Sequence, residues 1–206
     1  MYGGGENLSI ENQQKPSLRE RKKAKTRAII QQNALRLFRE KGYTETTVEQ
    51  IAEASEVSSS TFFRYFPTKE SVVLDDDYDV MLVEEFKKQP KELSPIQACR
   101  VAVKAVFSRL PEEEMQAIKE RVELTLGVPE LRVASFTHFT NTIEMISQIV
   151  AERVGCDFED QAIIVFSGSL VGAMMSVWMY VFKHPESDIL EAIDDALALL
   201  ESGLPL

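Results

Sequence analysis

Residues that could do chemistry gather near the start of this chain. A basic run, Arg19, Arg21, Lys22, Lys23, Lys25 and Arg27, lies in and before the start of a first helix. The macrodipole disfavours cations there, so an external anion such as a phosphate backbone would have to compensate. Further on, Ser58-Ser59-Ser60-Thr61 places small hydroxyl side chains at a second helix start, where hydroxyls and backbone N–H groups can meet phosphates or base edges. Phe62 and Phe66, four apart, would face a core and leave Phe63, Arg64 and Tyr65 on or near the outer face.

Elsewhere the chemistry is sparse. The two histidines, His138 and His184, have no Ser, Cys or carboxylate at motif spacing, and no HExxH, GxSxG or glycine-rich phosphate loop occurs. Cys99 and Cys156 lie far apart without a CxxC, which suits a reducing cytoplasm and gives no metal site. Asp75, Asp76, Asp77 and Asp79 would point in several directions from a helix, so a solvated acidic face is expected, not a cation site. No catalytic residue, metal or cofactor is expected. An all-helical enzyme acting on a small apolar substrate is the alternative, which turnover would reveal.

The net charge of −10 divides unevenly along the chain. Residues 15–69 hold twelve Lys/Arg against six Asp/Glu, a balance of +6, and residues 70–206 hold eleven against twenty-five, a balance of −14. One end seeks phosphate and the remainder avoids it.

Helical spacing recurs and strand alternation is nearly absent, so the expected fold is all-α with about nine helices. Ile30, Ala34, Leu37 and Phe38 form one apolar stripe ended by Gly42. Val48, Ile51, Ala52 and Ser55 form a shorter one, begun by a capping box of Thr46 with Glu49 or, in the alternative register, Thr47 with Gln50. A third helix fits Ser59 to Phe66 and stops at Pro67, after which Thr68 can cap a longer helix. Proline or glycine breaks then divide the remainder into five pieces. The expected organisation is a disordered tail over 1–16, an N-terminal three-helix domain over 17–70 with a helix-turn-helix at 47–66, and a C-terminal helical bundle over 71–206.

The stretch Tyr43-Thr44-Glu45-Thr46-Thr47-Val48-Glu49-Gln50-Ile51-Ala52, followed by Val57-Ser58-Ser59-Ser60-Thr61-Phe62-Phe63-Arg64-Tyr65-Phe66-Pro67-Thr68-Lys69-Glu70, resembles the tetracycline-repressor (TetR) family of transcription regulators. The resemblance implies a cytoplasmic homodimer that binds double-stranded operator DNA through its N-terminal domain and a small-molecule effector in the C-terminal one. It implies a phosphate contact from Thr47, major-groove placement of Ser59, Ser60 and Thr61, backbone or thymine-methyl contacts from Phe63 and Tyr65, and a phosphate contact from Lys69. Arg27 and Arg64 complete the expected DNA-binding set. Two positions depart from the family pattern: Glu56 stands in a turn where glycine is common, and Phe63 where tyrosine is common.

The segment Gln161 to Phe182 has no charge and contains Gly168-x-x-x-Gly172. It could be read as a membrane span. The soluble reading is a helix buried on all sides, with Gly168, Gly172 and Ser176 forming a smooth strip for close approach to a second subunit. Ile193 and Leu197 of the following helix are expected to join that interface. The middle helices, rich in Phe and Met, are expected to surround an apolar or amphipathic effector, with Phe107 in the wall and Arg100, His138, Asn141 and Trp178 fixing orientation.

Overall fold

The computed structural model describes residues 17–75 and 78–205. The expected disordered tail at 1–16, and Asp76 and Asp77 of the acidic run, lie outside the described residues. Among the described residues there are ten helices and no strand. They are α1 (Leu18–Lys41), α2 (Val48–Ala54), α3 (Ser59–Tyr65), α4 (Ser71–Leu74), α5 (Tyr78–Lys88), α6 (Pro95–Phe107), α7 (Glu112–Gly127), α8 (Pro129–Val154), α9 (Gln161–Lys183) and α10 (Ile189–Glu201).

Helix α1 starts earlier than its apolar stripe requires. Ser17 and Glu20 form a reciprocal capping box, which satisfies two free N–H groups and sets the basic run inside the helix. The other end follows the stripe: Ile30, Ala34, Leu37 and Phe38 are buried, and Gly42 ends the helix at φ 88°. Helix α2 takes the alternative register, capped by Thr47 with Gln50. Thr46 cannot cap because it is buried, its hydroxyl donating to the Gly42 carbonyl at 2.8 Å.

The expected long helix after Thr68 is divided. Thr68 and Ser71 bond each other's backbone N–H groups, but α4 lasts four residues before Asp75 turns extended at ψ 131°. Downstream, Val128 is extended, as the residue before a proline must be, and Pro129 opens α8. Gly155 ends α8 in a left-handed conformation.

Helices α8 and α9 pack closely where both present serine: Ser147 and Ser167 are buried and hydrogen-bonded at 3.0 Å. Helix α10 closes the far side, with Ile193 and Leu197 buried against Leu170, Val177 and Val181 of α9. Arg100 of α6 ties α10 down from outside, pairing with Asp194 at 2.9 Å and Glu201 at 2.6 Å.

The N-terminal core is not confined to the first three helices. Ile30, Phe38, Ile51, Phe62 and Phe66 share one buried cluster with Val72 and Val73 of α4 and with Leu131 of α8. Leu131 is fully buried and completes this core from the body of the molecule. Leu131→Ala should therefore lower the unfolding free energy by about 2–5 kcal/mol, read by urea denaturation, with head and body unfolding in one transition. A separate head transition, or a loss no larger than a surface substitution gives, would contradict the shared core.

Candidate nucleic-acid interface and central cavity

Helix α3 is held by a hydroxyl cluster at its start and two phenylalanines beneath it. Ser58 Oγ accepts the Thr61 N–H at 3.1 Å and lies 2.9 Å from both Ser60 Oγ and Thr61 Oγ1. Phe62 and Phe66 are completely buried, as the four-residue spacing requires. The outward side carries Ser60, Arg64 and Phe63, the last 50% exposed and edge-on to Phe62. Ser59, Thr61 and Tyr65 are half-buried, and Tyr65 packs on the head core. Thr47 is exposed; its hydroxyl accepts the Gln50 N–H and keeps its own proton to donate. Glu56, in the turn between α2 and α3, takes φ 54°, the left-handed conformation for which glycine is the easier residue.

Two expected phosphate contacts are placed differently. Lys69 Nζ donates to the carbonyls of Tyr43 at 3.0 Å and Thr46 at 3.1 Å, and lies 4.1 Å from the centre of the Tyr43 ring. These acceptors hold its charge against the turn after α1. Tyr43 in turn donates to Glu70 at 3.0 Å, and burial together with that carboxylate raises its pKa well above the usual tyrosine range. Burial works to raise the Glu70 carboxyl, but hydrogen bonds from its own backbone, Thr68 and Tyr43, with the Lys69 charge, outweigh it and keep the group below its ordinary value. Arg27 is half-buried, its Nη2 donating to the Asp75 carbonyl at 3.1 Å and its guanidinium 4.8 Å from the Phe66 ring centre. The other cations of the basic run, Arg19, Arg21, Lys22, Lys23 and Lys25, are exposed.

Beneath the head, helices α4 to α10 enclose a cavity of about 500 Å³. Most of its lining is apolar, including Phe107, Ile146, Leu170, Met174, Trp178 and Leu197. Its polar lining residues are Arg121 and Thr125 of α7, Arg132, Ser135, His138 and Thr142 of α8, and Asp79 of α5. Cys99 also lines it, and burial pushes that thiol up to about 12 although the Arg153 charge opposes the shift.

Of the residues expected around an effector, Phe107, His138 and Trp178 line the cavity, together with Phe136, Phe139, Met145 and Ile149. Arg100 and Asn141 do not line the cavity. Arg100 is turned to the α10 carboxylates, and Asn141 falls on the exposed side of α8. The polar residues missed, Thr125, Arg132 and Ser135, have a legible signal only in retrospect, as polar breaks near the Gly127–Pro129 corner. Gln31 was missed too, although it stands four residues after Arg27 beside the buried stripe.

Helix α9 is not buried on all sides. Gly172 and Ser176 are exposed and Gly168 is half-buried, amid exposed Val165, Met175, Met179 and Tyr180. A Cβ added at either glycine would meet nothing within 4 Å in this protomer. Ile193 and Leu197 do not belong to that face, because they fill the protomer's own core.

The comparisons with known proteins agree with this arrangement. The family model for bacterial regulatory proteins of the tetR family matches residues 30–75, and that for the MftR C-terminal domain, a TetR C-terminal domain, matches residues 93–205. The chain is similar to the HTH-type transcriptional regulator TcmR of Streptomyces glaucescens, 33% identical over 92% of this chain and 88% of that protein. It is similar to the putative mycofactocin biosynthesis transcriptional regulator MftR of Mycobacterium tuberculosis, 27% identical over 89% of this chain and 93% of that one. Among solved structures it is similar to Thermus thermophilus FadR, a TetR-family repressor in complex with lauroyl-CoA, at 26% identity and a TM-score of 0.54 over 87% of this chain and 95% of that chain. With both halves matched and a curated regulator related along nearly its whole length, the chain belongs to the TetR family of bacterial DNA-binding transcriptional regulators.

Proposed function

We propose that this regulator is a cytoplasmic homodimeric repressor, released from its operator when a small apolar or amphipathic molecule fills the central cavity. The observation that carries the reading is the double-sided α4. Val72 and Val73 are buried in the head core, while Val73 and Leu74 also line the cavity. A ligand that reshapes the cavity wall must press on an element of the DNA-binding head. Two further features support the ligand class: a cavity in the size range that takes drug-sized molecules, and a mostly apolar lining interrupted by a few polar groups. That the relatives compared are named as regulators supports a non-enzymatic role.

On this reading α3 enters the major groove, with Ser60 and Thr61 near base edges, Ser59 beside them, and Phe63, Arg64 and Tyr65 against backbone or thymine methyl. Thr47 donates to a phosphate, and the exposed α1 cations add non-specific attraction. The two heads of the dimer meet successive major grooves about 34–36 Å apart. Lys69 and Arg27 position the head from within. The exposed α9 face, with Gly168, Gly172 and Ser176 at its centre, packs against the same face of the second subunit.

The reading is tested with an operator duplex selected from a random library and the lipophilic fluorophore N-phenyl-1-naphthylamine as cavity probe. The probe should brighten on binding, raise the melting temperature and weaken operator binding by about five-fold or more. Met174→Trp, which fills the cavity, should abolish all three effects. A probe that binds without touching operator affinity would argue against a sensor.

The DNA contacts divide by salt dependence. Lys23→Ala and Lys25→Ala should each flatten the plot of log affinity against log salt by about one contact per protomer. Lys69→Ala should leave that slope unchanged and lower the melting temperature. Enlarging Ser60 should change preference among operator variants by about 1–3 kcal/mol at one base pair. A flattened slope for Lys69→Ala would restore it as a phosphate contact.

Gly172→Leu should leave the protomer folded, because its side chain meets open space there, but weaken dimerisation about ten-fold or more in sedimentation equilibrium. An unchanged dimer would move the interface elsewhere.

A further inference from the structure

We infer that Arg27 and Gln31 are the positioning residues through which the head reads the state of the cavity. The inference rests on the sensor reading above and names the contacts that carry it. Helix α4 spans four residues, too short to hold its own geometry in water. Its place is therefore set by what grips it. On one side Gln31 Nε2 donates to the Val72 carbonyl at 3.0 Å and the Asp75 carbonyl at 3.3 Å, and Arg27 Nη2 donates to the same Asp75 carbonyl at 3.1 Å. Val72 and Asp75 are at the C-terminal end of α4, where carbonyls lack partners within the helix. On the other side Val73 and Leu74 form part of the cavity wall, followed in the chain by Tyr78, whose ring lies 5.9 Å from that of Phe107.

Arg27 connects this grip to the DNA-reading helix. Its guanidinium lies 4.8 Å from the centre of the Phe66 ring, and Phe66 is the fully buried residue that ends α3. Four covalently or directly contacting steps thus run from the cavity wall at Leu74, through the Asp75 carbonyl and Arg27, to Phe66 and α3. Arg27 and Gln31 stand one helical turn apart on one face of α1, so a shift of the α4 carbonyls strains both together. Coupling of this kind needs an element with two arrangements that both sites bias; α7 and α8 also touch both the head core and the cavity, but α4, at four residues, is the shortest of the three and has Val72 in the core and Leu74 on the cavity.

A mere structural clasp would lower stability and nothing else, so the test reads coupling. By linkage, if the probe weakens operator binding, operator binding must weaken the probe by the same factor. The affinity of N-phenyl-1-naphthylamine is measured for the full chain, free and saturated with the selected operator duplex. Wild type should show about a five-fold or larger ratio. Gln31→Leu keeps the side chain's bulk without its donor; it should bring the ratio below about two-fold while leaving probe affinity of the free protein and operator affinity without probe unchanged. Asn33→Leu, which removes a half-buried amide bonded only within its own helix, to the Ile29 carbonyl and Arg36, should keep the wild-type ratio. Should Gln31→Leu fail to fold, Arg27→Lys, which keeps the charge and loses the planar fork, must reduce the ratio in its place. A wild-type ratio in Gln31→Leu or Arg27→Lys overturns the inference and leaves the sensor reading standing. Equal probe affinity with and without operator in wild type overturns both.

Discussion

The molecule depends on one shared wall. Val72, Val73 and Leu131 belong to the same buried cluster as Ile30, Phe62 and Phe66, yet their neighbours Leu74, Arg132 and Ser135 line the cavity. Close-packed interiors do not deform gradually, so a wall with a core on one side and a cavity on the other cannot move on one side alone. The head's core is completed from outside its first three helices, by Val72 and Val73 of α4 and Leu131 of α8. That makes the orientation of α3 a property of the whole protomer.

Charge is divided to match. The exposed cations of α1 and the outward residues of α3 belong to the basic end, and the body carries the acidic surplus. Two cations of the basic end, Arg27 and Lys69, are not spent on the surface. Each is fixed by backbone carbonyls and an aromatic face, Arg27 against α4 and Phe66, Lys69 against the turn after α1 and Tyr43. A guanidinium or ammonium needs several acceptors when half-buried, and helix ends and turns supply unpartnered carbonyls. The same charges that suggest phosphate contacts in a sequence therefore serve as internal fasteners in the fold.

How far the sequence could be read follows from what each feature depends on. The helices, the burial of Phe62 and Phe66, and the exposure of Phe63 and Arg64 rest on local periodicity and were legible. So was the left-handed turn at Glu56, through the resemblance. The division of helix 4 after Leu74 was not, because no proline or glycine marks it. The roles of Arg100, Asn141, Ile193 and Leu197 were misread because periodicity gives a face without saying what covers it. Arg100 faces carboxylates ninety-four and one hundred and one residues away, and Ile193 and Leu197 face α9 of their own protomer. Thr46 and Thr47 are equivalent as capping residues in a sequence; only the burial of Thr46 beneath the Gly42 turn decides between them.

The most direct test of the shared wall is amide hydrogen exchange on the full chain, with and without N-phenyl-1-naphthylamine in the cavity. Occupancy should change exchange at residues 71–75 and, in the same titration, at residues 59–65 of α3, although no part of α3 lines the cavity. Changes confined to α6, α8 and α9, with α3 and α4 exchanging as in the free protein, would contradict it.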